Sequence, residues 1–185
     1  MLHLQIHLTL PPWISDVIDE SQPYHTDHEK LALVIELSRR NIEHGHGGPF
    51  GAAVFDPQNR LISVGVNRVM SQTCSAAHAE MMAFMSAQQR LGQARINEAG
   101  GRYTLASSAQ PCCQCYGASF WAGIDELLIG ARKEDVEELT PFKEGPLPAD
   151  WIGALTHHGI TVRRDILRDE ARGVLAVYGT TGEAY

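Results

Sequence analysis

Phe50-Gly51-Ala52-Ala53-Val54-Phe55 and Leu61-Ile62-Ser63-Val64-Gly65-Val66 are two apolar runs. Only a short polar link that includes Asp56-Pro57-Gln58-Asn59 separates them, and the pattern predicts a β-hairpin. Upstream, Leu31, Val34, Ile35, Ser38 and Ile42 fall on one stripe of a helix predicted over Asp27 to His44, which Gly45 can end. His44-Gly45-His46-Gly47-Gly48-Pro49 then forms the turn into the hairpin. Downstream, Ala77 to Leu91 reads as a helix with Met81, Phe84 and Met85 inward. Strands at Arg102 to Ala106, Glu126 to Gly130 and Ile160 to Arg163 alternate with helices at Cys112 to Ala122, Asp135 to Leu139, Asp150 to His157 and Asp165 to Tyr178. A hairpin followed by such alternation predicts an α/β fold, a mixed sheet covered by helices on both faces.

Two short motifs sit at the starts of predicted helices. One is His78-Ala79-Glu80, the other Pro111-Cys112-Cys113-Gln114-Cys115. An H-x-E triplet alone carries little information, and P-C-x-x-C alone is ambiguous between metal ligands, a redox pair and buried thiols. Together, and in this order, they form a specific pattern. Cys112 and Cys115 share a helix face and can reach one ion. Cys113 points about 100° away from Cys112 and is expected to be a small packed residue. Cys74 is expected to be a buried, unreactive thiol. His78 and Glu80 are two apart, so they do not share a face of a regular helix. The ion must therefore lie off the helix ends, between two N-termini whose partial positive charge favours thiolates. One imidazole and two thiolates hold Zn²⁺ and leave a fourth position open, the layout of a catalytic centre.

Composition narrows the function classes. The 185 residues suit a single domain, 1–185, and no apolar stretch approaches membrane-spanning length. The formal net charge of −7 argues against a large nucleic acid as the main ligand. The adjacent basic pairs Arg39-Arg40, Arg132-Lys133 and Arg163-Arg164 read as solvated element ends. Four cysteines, two of them assigned to metal, leave no disulfide framework, as expected for a reducing, cytoplasmic setting. Leu2, Leu4, Ile6, Leu8 and Leu10 alternate with polar residues and predict a strand, with His3 and His7 on its solvated face. Trp13 to Glu20 suits a short helix.

From about Asp27 to the C-terminus the chain resembles the cytidine-deaminase-like superfamily. Within it, the closest likeness is to the guanine deaminase branch. The likeness rests on Gly47-Gly48-Pro49-Phe50-Gly51-Ala52, Asn67-Arg68-Val69, Ala77-His78-Ala79-Glu80, the cysteine motif, Phe120-Trp121-Ala122-Gly123, Glu144-Gly145-Pro146 and the terminal Tyr185. One departure is Gln110, where members usually carry Glu before Pro-Cys. The resemblance implies a three-layer α-β-α fold with a mixed five-stranded sheet and one Zn²⁺ per chain, held by His78, Cys112 and Cys115. It implies Glu80 as proton shuttle, Glu144 as a second acid, and Asn67, Phe50, Ala79 and Tyr185 as substrate-binding residues. Residues 1–26 would be an extension, and 179–185 a lid jointed at Gly179 and Gly182. Glu134, Asp135, Glu137 and Glu138 compete with Glu144 as acids, but their spacing suits an exposed short helix.

The expected reaction is hydrolytic deamination of a small nucleobase, guanine to xanthine plus ammonia, by a cytoplasmic homodimer in purine catabolism. Zinc chemistry alone implies only an amino-substituted N-heterocycle, so cytosine, cytidine or an amino-triazine stay open. So does adenosine in tRNA. A zinc site that only staples the fold would normally have four protein ligands.

Overall fold

The computed structural model describes residues 2 and 4–180. A five-stranded mixed sheet runs through it in the order β2-β1-β3-β4-β5. The strands are β1 (Gly51–Phe55), β2 (Leu61–Val66), β3 (Thr104–Ala109), β4 (Glu126–Ala131) and β5 (Thr161–Arg163). The helices are α1 (Asp27–Glu43), α2 (Val69–Gln72), α3 (Ala79–Leu91), α4 (Cys113–Ala122), α5 (Lys133–Leu139), α6 (Trp151–His157) and α7 (Arg168–Gly179). The expected hairpin is present. β1 pairs antiparallel with β2 and β3, and β3-β4 and β4-β5 are parallel.

Every residue of β1 is buried, because helices cover both faces. Ala53 and Phe55 join a cluster with Leu31, Val34 and Leu37 of α1 and Val174 and Leu175 of α7. Ala52 and Val54 join one with Ala79, Ala83 and Phe84 of α3 and Leu155 of α6. The start of α1 is set by a reciprocal cap. Thr26 Oγ1 accepts from the Glu29 N–H at 3.1 Å, and Glu29 Oε2 accepts from the Thr26 N–H at 2.7 Å.

Several expectations are corrected. Residues 4–10 form no strand, and Leu4 and Ile6 are almost fully exposed. Alternation needs a sheet edge to bury one face, and this segment has none. Residues 12–16 form a single 3₁₀ turn rather than a helix to Glu20. Met81 and Met85 are only partly buried, whereas Ala79, Met82, Ala83, Phe84 and Ala87 face the core. The cause is Gly65 on β2: a Cβ there would lie 2.0 Å from the Ala79 carbonyl oxygen and 2.6 Å from the Ala83 nitrogen. Helix and strand approach backbone to backbone, and only small side chains fit between them.

Candidate active site

α3 and α4 begin side by side at the end of the sheet. Their N-cap residues are His78 and Cys112, and neither side chain makes a capping hydrogen bond. Both cap side chains are therefore free for other work, and the two helix N-termini give this corner a positive potential.

His78 Nδ1 lies 3.4 Å from Cys112 Sγ and 3.6 Å from Cys115 Sγ. All three ligand atoms fall within 4.8 Å of one another, and they are the one such group among the described residues. A tetrahedral zinc with ordinary Zn–S and Zn–N bonds would hold sulfur and nitrogen about 3.6 Å apart. The trio therefore fits such an ion in donor type and in spacing. The Cys115 thiol donates to the Cys112 sulfur, which, with His78, holds Cys112 down to about 4 against its burial. The same hydrogen bond, followed by burial, pushes Cys115 up. Burial opposes charge on His78, but the Cys112 sulfur and Glu80 raise it on balance. The pair shares protons that a divalent ion would displace.

Glu80 lies beside this trio with 7% of its surface exposed. Its Oε1 accepts from Ser107 Oγ of β3 at 3.4 Å, and its Oε2 lies 3.3 Å from Cys115 Sγ, whose single proton it shares with the Cys112 sulfur. Burial, then the Cys112 sulfur, raise its pKa.

A cavity of about 460 Å³ opens over these groups. Asn67, Phe50, Ala79 and Glu144 all line it, so the structure brings together every expected substrate or acid residue that it describes. Tyr185 lies outside the described residues, as does most of the expected lid. Gly179 ends α7, and a Cβ on it would lie 1.9 Å from the Leu139 carbonyl oxygen.

Asn67 follows β2 and is 1% exposed. Its Oδ1 accepts from the N–H groups of Gly48 at 3.4 Å and Val69 at 3.3 Å. These two donors fix the carboxamide of a residue that lines the cavity. Glu144 is 7% exposed, in the loop after α5. Its N–H donates to Glu137 Oε1 at 3.3 Å, its carbonyl accepts from the Cys113 N–H at 2.9 Å, and Lys133 Nζ donates to the next carbonyl at 3.3 Å. Burial, the Cys112 sulfur and Glu80 push its carboxyl up to about 8. Its pKa thus lies well above that of an ordinary loop carboxylate.

Other expectations change here. Cys113 is exposed and lines the cavity rather than packing, although it stands outside the metal-spaced trio as expected. Cys74 is half-buried, not buried. Asp135 is not on an exposed face but 1% exposed, gripped by Arg168 and Arg172. The basic pairs sit at solvated element ends as expected, and most of their members also meet carboxylates: Arg39 and Arg40 meet Glu36, Arg132 meets Asp165, Lys133 meets Glu137, and Arg163 meets Asp27 and Glu126. Sequence reasoning missed Phe142, whose ring meets Phe50 at 5.3 Å and stacks on Tyr178 at 5.5 Å. A lone aromatic in a loop rich in Pro and Gly was the available signal.

Residues 25–131 match the cytidine and deoxycytidylate deaminase zinc-binding region. The chain is 38% identical to a guanine deaminase from Nitrosomonas europaea of known structure, covering 97% of this chain and 99% of that one with a TM-score of 0.90. It is 40% identical to a protein solved with 2,6-diaminopurine, over 97% and 95% of the two chains, with a TM-score of 0.89. It is also 31% identical to the guanine deaminase of Bacillus subtilis over 60% of this chain and 69% of that protein.

Proposed function

Because this chain belongs to the cytidine and deoxycytidylate deaminase zinc-binding family, we propose that it is a zinc-dependent aminohydrolase converting guanine and water to xanthine and ammonia. One observation carries the reading. A metal-spaced trio and two buried carboxylates share a cavity of a size suited to a nucleobase. Guanine as the base is supported by the likeness to guanine deaminases.

His78, Cys112 and Cys115 would hold the zinc, which when bound supplies the Lewis acidity that makes water a nucleophile at neutral pH. Glu80, buried beside the trio, takes a proton from the attacking water and passes it to the ring nitrogen. Glu144, loaded with a proton, supplies the one that the departing amine needs, and the proton lost from the new hydroxyl as it becomes the carbonyl reloads it. Asn67 Nδ2 donates to an acceptor on the base edge, and Phe50 and Phe142 form an apolar wall against its face. Ala79, fully buried at the start of α3, closes the floor with a side chain too small to obstruct the ring.

Adenosine in tRNA is disfavoured by the net charge of −7 and by the pairing of the clustered basic residues with acids. A homodimer and a cytoplasmic role in purine catabolism belong to the same proposal. Trp121, 71% exposed on α4, supports a partner surface, and four cysteines free of disulfides support a reducing compartment. No helix among the described residues is long and apolar enough to cross a membrane.

The deciding experiment measures ammonia release by zinc-loaded protein from guanine, cytosine, adenine, their nucleosides and amino-triazines, with a tRNA substrate in parallel. Guanine should give the highest kcat/KM. Deamination of tRNA adenosine with none of guanine would overturn the proposal.

A further inference from the structure

Asn41 lies on α1, outside the cavity lining, and is fully buried. Its Nδ2 donates twice, to the Gly48 carbonyl at 2.9 Å and to the Asn67 carbonyl at 3.0 Å. Its own backbone carbonyl accepts from the His46 N–H at 3.0 Å. One turn earlier on the same helix, Ser38 Oγ donates to the Pro49 carbonyl at 2.7 Å. Gly48 in turn donates to Asn67 Oδ1, and the Asn67 N–H donates to the Phe50 carbonyl at 3.1 Å.

The pattern is asymmetric. Asn41 Oδ1 is buried and has no hydrogen-bond partner among the described residues. An orphaned buried acceptor is destabilising, so the asparagine carries a cost beside its two hydrogen bonds. The side chain that tolerates this cost spends both amide hydrogens on the two backbone carbonyls that locate the Asn67 carboxamide. A second constraint acts from the turn: a Cβ on Gly47 would lie 2.2 Å from the Asn67 carbonyl oxygen and 3.1 Å from its Oδ1.

We propose that Asn41 is a positioning residue for base recognition. It acts through Asn67, clamping the Gly48 and Asn67 carbonyls so that Asn67 Nδ2 meets the base at one fixed point, with Gly47 leaving the space that this placement needs. The inference rests on the reading of Asn67 as a base-binding residue. Asn41 touches neither the base nor the reacting atoms, so its loss should loosen recognition and leave proton transfer at Glu80 intact. Displacements of about 1 Å in a positioned group are enough to change kinetics severalfold or more.

The test is a double-substitution cycle on the zinc-loaded protein, using Asn41→Leu, Asn67→Ala and the pair. Asn41→Leu keeps the branched heavy-atom shape, removes both donors and also removes the orphaned acceptor. Alone it should raise KM for guanine about tenfold, the size of one net hydrogen bond, with kcat within about twofold of wild type. In the Asn67→Ala background it should add nothing further to KM. Gly47→Ala, which presses on Asn67 from the other side, should reproduce the KM effect and stands in should Asn41→Leu fail to fold. Additive KM effects, or a fall in kcat that tracks melting temperature, would assign Asn41 to the scaffold and overturn the proposal. Failure of Asn67→Ala itself to change KM would overturn the underlying reading of Asn67 instead, which keeps the two failures apart.

Discussion

The two walls of the cavity are built in different ways. The metal wall takes His78, Glu80, Cys112 and Cys115 from the first turns of two helices, within two motifs of three and five residues. The recognition wall takes Phe50, Asn67 and the loop pair Phe142 and Glu144 from three separate places, each held by backbone hydrogen bonds or ring contacts to other segments. Chemistry that requires fixed valence and spacing is concentrated in helix termini, where a few adjacent residues can define it. Recognition of a flat ring needs contacts from several directions and is assembled by the fold. Changes to the first wall should therefore act on turnover, and changes to the second on selectivity and affinity.

Stripping the metal with a chelator is the largest perturbation. Turnover should vanish and return with zinc. Thermal stability should also fall, because the trio links α3 to α4 across 34 residues of chain. A crosslink closing a loop of that length is worth about 3–4 kcal/mol by chain entropy. Calorimetry with and without metal would show whether the first wall is structural as well as chemical.

Glu80→Gln comes next. Kcat should fall at least about 10³-fold, since this carboxyl serves more than one proton transfer, while zinc content and melting temperature stay near wild type. A kcat close to wild type would remove Glu80 from the chemistry. Glu144→Gln sharpens the comparison, because this acid sits on the recognition wall yet is assigned a chemical task. Its kcat should drop about 10²-fold with little change in KM, and an effect confined to KM would return it to recognition.

Asn67→Ala should raise KM for guanine about tenfold, measured by steady-state ammonia release, with a smaller loss of kcat. Equal losses of activity and melting temperature would make it a structural residue.

The smallest effect on turnover is expected at Asp135, which ties α5, the support of the Glu144 loop, to α7. Arg168, ahead of the opposing burial, holds its carboxyl down to about 2 from 3.8. A carboxyl lowered in the folded state stabilises above its unfolded pKa and loses that contribution as pH falls through the folded value. The stabilisation, about 2 kcal/mol, should be whole above about pH 4 and gone near pH 2. Asp135→Asn should remove it at neutral pH and flatten the acid limb of a denaturation curve.

Much of this division was legible in the sequence. Proline, cysteine and histidine at helix starts announce the metal wall, because ligand spacing and capping are local. The hairpin and the α1 stripe were legible for the same reason. The inward face of α3 was not, since Gly65 turns the alanine stripe of Ala79, Ala83 and Ala87 toward the sheet in place of Met81 and Met85. Nor was the failure of residues 4–10 to form a strand, as period-two alternation says nothing about whether an edge awaits it. Asn41 was invisible because its partners are contributed by other segments. Phe142 was hidden in the same way, by ring partners distant in the chain.

The backbone contact at Gly65 has a consequence in the language of manufacture. The sheet is a datum surface, and α3 is referenced to it with no compliant layer between them. His78 and Glu80 inherit their coordinates from that seating. A methyl group added at position 65, pressed against the Ala79 carbonyl, would shift the helix and carry both side chains with it as a rigid fixture. The tolerance of the catalytic corner is thus set by a residue without a side chain. At that position, drift in sequence is read as misalignment of the machine rather than as loss of a part.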